Sequence, residues 1–259
     1  MKMLKRLVAK SINAFGYDLQ RIQLDKLSNI AVELESDEVE LIRYVIEKNY
    51  TMASVPRLVN TLKSCKYVVE NKIPGDFVEC GVWRGGNGIL AKKIFEKLNS
   101  NKKVWMFDTF NGMTEPTEFD VKGSTKVKAK IKYQETLTET HSEWCYASIE
   151  DVQNNLKDSS INVDSIKFIK GDVLATLSDK ENLPKDISVL RLDTDWYEST
   201  KLELEVLYPI LNTGGVLIID DYGHWEGAKK AVDEYFDKQH YKPLFNVIDY
   251  TGRSAIKSQ

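Results

Sequence analysis

From about residue 73 onward, short apolar runs alternate with longer segments whose apolar positions recur every three or four residues. Short runs bounded by turn residues read as buried strands, and the 3.6-period segments read as helices. Strands are predicted at residues 76–80, 104–107, 166–169, 187–192 and 216–219, and two more short ones between 244 and 256. Helices at 89–98, 149–156, 200–211 and 227–238 fall between them. This alternation predicts an α/β fold, a doubly wound, mostly parallel seven-stranded sheet of Rossmann-like type with helices on both faces. Ahead of it, helical patterns at 38–48 and 57–71 stop at Pro74-Gly75, so residues 1–72 read as a helical extension and 73–259 as the sheet domain. A polar insert at 111–143 is too long for an ordinary connection and reads as a lid.

Composition narrows the class. A chain of 259 residues with 42% hydrophobic content can bury one large core, and a net charge of −3 gives no reason to expect nucleic acid. Cys65, Cys80 and Cys145 are odd in number and lack C-x-x-C spacing, which argues against a disulfide framework or a structural zinc. The expected setting is cytoplasmic, with no apolar run of the roughly 18 residues that a membrane span needs. Near the start, Leu4, Leu7, Val8, Ile12 and Phe15 keep helical spacing beside Lys2, Lys5, Arg6 and Lys10. Such a helix packs on the body or another subunit, or else makes a peripheral membrane contact through residues 1–15.

The chemistry is concentrated between Leu190 and Trp225. L-R-L-D-T-D-W ends one apolar run with Asp193 and Asp195, and G-G-V-L-I-I-D-D-Y-G-H-W ends the next with Asp220 and Asp221. If both runs are parallel strands joined by a crossover helix, their carboxyl ends lie side by side, about 5 Å apart. Carboxylates so placed repel one another unless a hard divalent cation, most simply Mg2+, sits between them. Arg191, inside an apolar strand, reads as the internal partner of a buried acid.

Glu79-Cys80-Gly81 opens a glycine-rich turn, through Gly85-Gly86, directly after the first strand. Glycines there let a backbone approach a nucleoside closely, but G-x-G-x-x-G is absent. Glu79 would repel a pyrophosphate and suits the ammonium of a methionine-like group, which points to S-adenosylmethionine. Asp108 ends the second strand, where a carboxylate takes both hydroxyls of a ribose, and Gly171-Asp172 ends the third on the adenine side. A helix cap or a turn acid is the plainer reading of each alone.

Together these residues resemble the macrocin, mycinamicin and novobiocin-type sugar O-methyltransferases. P-G-D-F-V-E-C-G-V-W-R-G-G, L-R-L-D-T-D-W-Y-E-S-T, I-I-D-D-Y-G-H-W-E-G-A and I-D-Y-T-G-R carry the resemblance, which runs from about Thr51 to the C-terminus. It implies a class I methyltransferase fold and a magnesium-dependent transfer from S-adenosylmethionine to a sugar hydroxyl, of a natural-product deoxysugar or of a surface-glycan or nucleotide-linked sugar. It implies Asp193, Asp220 and Asp221 as metal ligands, cofactor contacts from Thr51, Met52, Glu79, Cys80, Gly81, Asp108 and Asp172, and a homo-oligomer. The related catechol enzymes place a lysine base by the metal aspartate. Here Thr194 and Asp195 stand nearby instead, so the resemblance suggests Asp193 as the base, with Asp195 and His224 as alternatives.

Within the insert, Lys122, Lys126, Lys128, Lys130 and Lys132 have no acid among them. They either meet an anionic acceptor, such as a nucleotide-linked or lipid-phosphate-linked sugar, or form a solvated surface. Trp196, Tyr197, Tyr222 and Trp225 read as packing. Two rival readings are a nicotinamide-dependent oxidoreductase on a similar sheet and a non-catalytic scaffold that binds S-adenosylmethionine. The missing dinucleotide fingerprint counts against the first and the four aspartates against the second.

Overall fold

Five apolar runs become parallel strands: β1 (Asp76–Cys80), β2 (Val104–Asp108), β3 (Ile166–Lys170), β4 (Ile187–Leu192) and β5 (Leu211–Ile219). Two antiparallel strands, β6 (Asn246–Val247) and β7 (Arg253–Ile256), complete a sheet of order β3-β2-β1-β4-β5-β7-β6. These features come from a computed structural model that describes residues 31–258. The basic amphipathic pattern of residues 1–15 lies outside them. Among the described residues no helix is long and apolar enough to cross a membrane.

The sheet is buried on both sides, and strand alternation decides which side chain joins which layer. Phe77, Val189 and Ile218 point to one face, against α1 (Ser36–Glu47), α2 (Val55–Glu70) and α3 (Gly86–Lys97), through Ile42, Val45, Leu58, Leu62, Ile89 and Ile94. Val78, Leu190 and Leu217 point to the other, against α7 (Tyr197–Leu207) and α8 (Glu226–Asp237), through Leu204, Leu207, Val232 and Phe236. Three shorter helices, α4 (Ala129–Thr136), α5 (Ile149–Asp158) and α6 (Val173–Thr176), lie in the connections.

The chain runs from β1 outward to β2 and β3, then returns to β4 and β5 on the other side of β1. Winding therefore reverses between β1 and β4, and a crevice opens at their carboxyl ends.

The strand at residues 187–192 matches its prediction residue for residue. Helix α7 ends at Leu207, short of the predicted 211, because Pro209 can neither donate to nor fit within another helical turn. Gly214-Gly215, just ahead of the strand predicted at 216–219, lies within β5 as an irregularity: Ile187 pairs with Leu211, whereas Val189 pairs with Val216. Gly214 has φ +83°, which a glycine adopts without strain. The pattern does not predict α4 or α6; only Ala129 in α4 and Val173 in α6 are buried, so no apolar stripe marks them.

Candidate active site

A cavity of about 500 Å³ fills the crevice. Thr51, Met52, Gly81, Asp108 and Asp172 line one part, and Asp193, Asp195, Asp220, Asp221, His224 and Trp225 line another. The glycine turn makes the first part possible. Gly81 has φ +83°, and a Cβ there would overlap the Asp193 carbonyl. The Gly86 N–H donates to the Tyr50 carbonyl at 2.9 Å, which holds Thr51 and Met52 over the turn. Asp108 braces the turn, with Oδ2 accepting the N–H groups of Val82 (2.6 Å) and Trp83 (3.1 Å) and Oδ1 that of Phe110 (2.7 Å). Asp172 caps α6 by accepting the Leu174 N–H at 2.9 Å.

Beyond the ends of β4 and β5, one carboxylate oxygen from each of Asp193, Asp195 and Asp221 falls within 4.8 Å of the others. Asp195 reaches this group through a left-handed backbone, φ +70°, a cost of about 1–3 kcal/mol that marks functional positions. Desolvation raises all three carboxyls above their ordinary range, Asp195 to about 7. The Asp193 N–H donates to the Cys80 carbonyl at 2.8 Å, which fixes the start of this loop against β1.

Behind the acids lies Arg191, fully buried. Its Nη1 donates to Asp193 Oδ2 at 2.6 Å and Glu79 Oε1 at 3.0 Å, and its Nη2 pairs with Asp220. Arg57, reaching in from α2, pairs with the other oxygen of Asp220 and lies 3.2 Å from Asp249 Oδ2. Four carboxylates, those of Glu79, Asp193, Asp220 and Asp249, thus share two guanidinium groups, whereas neither Asp195 nor Asp221 forms an ion pair with a basic side chain among the described residues.

Strand parity bears on three of the expected site residues. Glu79 pairs in register with Arg191, and Arg191 with Ile218. Asp220, two residues past Ile218, follows on that same face. Glu79 therefore meets Arg191 instead of the cavity, and burial pushes its carboxyl up to about 7. Both oxygens of Asp220 are engaged by arginines, and Asp195 stands with Asp193 and Asp221 in its stead. Cys80 points to the opposite face, fully buried, and its carbonyl accepts the Asp193 N–H.

Glu203 on α7 is a group that no local pattern reveals. It is fully buried, and its Oε1 accepts the Thr194 hydroxyl at 2.9 Å, bracing the loop between Asp193 and Asp195. Burial pushes its carboxyl from 4.5 up to about 8. The folded chain then holds a proton that the unfolded chain releases, so stability from this group is full below the ordinary carboxylate range and is lost as pH rises through about 8. Glu203→Gln keeps the neutral shape. Denaturant unfolding at pH 5, 6.5 and 8 should show the variant more stable than wild type at pH 8, with a slope flatter by as much as about 1.4 kcal/mol per pH unit. Identical slopes would contradict the assignment.

The insert at 111–143 folds over the cavity rather than away from it. Buried Asp120 accepts from the Thr117 N–H (2.6 Å) and the Tyr197 N–H (2.8 Å), which ties the insert to the start of α7. Lys122 bridges to Trp225, and the Gly123 N–H donates to the His224 carbonyl at 2.9 Å. Trp144, just past the insert, meets Trp196 and Trp225, with ring centroids 5.1–6.0 Å apart, in a buried cluster whose Trp144 and Trp225 face the cavity. His224 Nδ1 lies 2.6 Å from the Tyr250 hydroxyl, and desolvation followed by Lys122 and Arg57 holds its pKa below the usual imidazole range. Arg57, Trp144 and Glu203 were not among the predicted site residues. For Arg57 the one signal available was a cation next to the apolar stripe of Leu58 and Leu62.

A parallel sheet with its antiparallel hairpin edge, a glycine turn after β1 and acids at the ends of β2, β4 and β5 together define a class I methyltransferase. The chain belongs to the macrocin-O-methyltransferase (TylF) family, whose profile matches residues 23–254. It is 35% identical over 205 residues to demethyldecarbamoylnovobiocin O-methyltransferase of Streptomyces niveus, covering 78% of this chain and 74% of that protein. It is 30% identical over 208 residues to mycinamicin III 3''-O-methyltransferase of Micromonospora griseorubida, covering 78% and 76%. Among solved structures it is similar to the O-methyltransferase NovP, with a TM-score of 0.71 and 31% identity over 81% of this chain and 83% of that one. The protein is an O-methyltransferase whose methyl donor is S-adenosylmethionine, which displaces the oxidoreductase reading.

Proposed function

We propose that this enzyme methylates a hydroxyl of a sugar, and that it does so with Mg2+ held by Asp193 and Asp221. One observation carries the reading: the oxygens of Asp193, Asp195 and Asp221 lie within 4.8 Å in the cavity that also contains the glycine turn. The residues fit such an ion. Asp221 Oδ2 is buried without a hydrogen-bond partner, and an all-oxygen donor set suits a hard cation. The relatives that methylate demethyldecarbamoylnovobiocin and mycinamicin III support a sugar hydroxyl as the acceptor group.

Bound there, Mg2+ supplies charge that offsets the charge building on the hydroxyl oxygen, and S-adenosylmethionine supplies the methyl group. Thr51, Met52, Gly81, Asp108 and Asp172 hold the cofactor. Asp195 accepts the hydroxyl proton at its carboxylate. Asp193 is the poorer base because its Oδ2 is tied to Arg191, and His224 is turned to Tyr250. The insert and the Trp144, Trp196 and Trp225 wall keep water from the reacting atoms.

Calorimetric titration of S-adenosylhomocysteine into the purified protein, with Mg2+ and then with excess chelator, tests the first half. Binding on the order of 10 μM or tighter is expected in both conditions. No binding in either would remove the reading. Titration of Mg2+ into the S-adenosylhomocysteine complex tests the second half, and an absence of binding would remove the metal.

A further inference from the structure

The five lysines of the insert divide into two groups. Lys126 pairs with Glu226, and Lys130 Nζ lies 3.0 Å from Glu115 Oε1. Lys122, Lys128 and Lys132 line the cavity, and among the described residues none of the three pairs with a carboxylate. Lys132 instead stands over Trp144, its Nζ 4.3 Å from the ring centroid.

The three are fixed in place by the fold. The Lys122 N–H donates to the Val127 carbonyl and the Ala129 N–H to the Asp120 carbonyl, each at 2.9 Å, while the bridge to Trp225 holds this hairpin on the cavity wall. The two at the start of α4 gain nothing from the helix they open. Lys128 caps α4 without a capping oxygen, and Lys130 and Lys132 follow in a first turn that has no acid, where cations oppose the helix dipole. Apolar Met52, Val127 and Tyr250, all largely exposed, complete this rim.

The cavity is therefore polarised, with Asp193, Asp195 and Asp221 at its base and three unpaired ammonium groups on the insert side. Cys145 also lines the cavity, its thiol pushed up to about 12 mainly by burial.

We propose that Lys122, Lys128 and Lys132 form a phosphate subsite, and that the acceptor is a sugar carried on a diphosphate rather than a finished neutral glycoside. A diphosphate diester brings two negative charges to the three cations, whereas a single carboxylate, as in a uronic acid, would leave two of them uncompensated. The diphosphate belongs either to a nucleotide or to a lipid carrier. This proposal rests on the sugar-methylating reading above.

The test uses the full chain saturated with S-adenosylhomocysteine, in excess chelator so that no divalent cation recruits phosphate. Inorganic pyrophosphate, UDP-glucose, citronellyl diphosphoglucose, glucuronate and methyl glucoside are titrated calorimetrically. They are titrated into wild type, the triple variant Lys122→Gln/Lys128→Gln/Lys132→Gln, and the control Lys126→Gln/Lys130→Gln. Pyrophosphate and at least one diphosphate sugar should bind wild type at about 1 mM or tighter, and the triple variant should weaken both by about tenfold or more. The control should stay within about twofold, because exposed pairs contribute little.

Tighter binding of UDP-glucose supports the subsite with a nucleotide carrier, and tighter binding of the citronellyl compound supports it with a lipid carrier. Equal losses in the two variants, no pyrophosphate binding by wild type, or glucuronate binding as tight as pyrophosphate would overturn the proposal. S-adenosylhomocysteine binding, measured first on each protein, separates this outcome from a failure of the methyltransferase reading or of folding.

Discussion

Asp221→Ala is expected to lower methyl transfer to a sugar acceptor by on the order of a thousandfold, while S-adenosylhomocysteine affinity stays within about twofold. Two features make this side chain decisive. Its Oδ2 is buried with no partner, and among the described residues no basic side chain pairs with it, so its charge is tolerable only when something else shares it. The glycine turn and Asp108, which bound the cofactor side, do not depend on it. Radiolabelled S-adenosylmethionine measures the transfer, and paramagnetic Mn2+ reports occupancy of the acids without an acceptor. The variant should lose Mn2+ binding together with turnover. Full activity in the variant, or in wild type with excess chelator, would remove the metal from the mechanism.

Arg191→Met should be the most damaging single change to stability, at about 3–5 kcal/mol, with a fall in Tm on the order of 10 °C. The substitution roughly preserves volume, so its cost is electrostatic. Glu79 and Asp220 would remain buried, and Asp193 would lose its 2.6 Å partner. Adding Glu79→Gln to Arg191→Met should recover part of the loss by removing one uncompensated charge. If the double variant is no more stable than the single one by denaturant unfolding, packing rather than charge explains the position.

Much of the fold was readable because a doubly wound sheet repeats a simple contrast between continuous apolar strands and 3.6-period helices. The acids were readable for a related reason: in a parallel sheet the ends of adjacent strands are neighbours, so Asp193 and Asp221 meet although a whole helix separates them in the chain. Sorting the acids needed the register. Asp220 and Asp221 are adjacent in sequence, yet alternation sends the first toward Arg191 and Arg57 and leaves the second beside Asp193 and Asp195. Parity likewise turns Glu79 inward, and it was available in principle once Arg191 was taken as an internal partner. Arg57 was not legible, since its partners Asp220 and Asp249 lie more than half the chain away and nothing near it in sequence indicates them. The left-handed backbone of Asp195 was equally hidden, because its φ is set by the loop that Glu203 and Thr194 hold.

The Arg57 junction also bears on the order in which the molecule is assembled. Its guanidinium joins helix α2 to the end of β5 and to Asp249 in the turn between β6 and β7, and Ser54 donates to the same Asp249 at 2.5 Å. Contacts spanning 163 and 195 positions are among the slowest for a folding chain to find. Asp220 therefore gains its second arginine only once an early helix has docked on the end of β5, and that arginine gains its second carboxylate only once the late hairpin has closed. During synthesis, a chain that has formed its central strands but has not yet released the final hairpin carries the acids without the clasp that orders them, so competence for catalysis arrives as a closing event of folding.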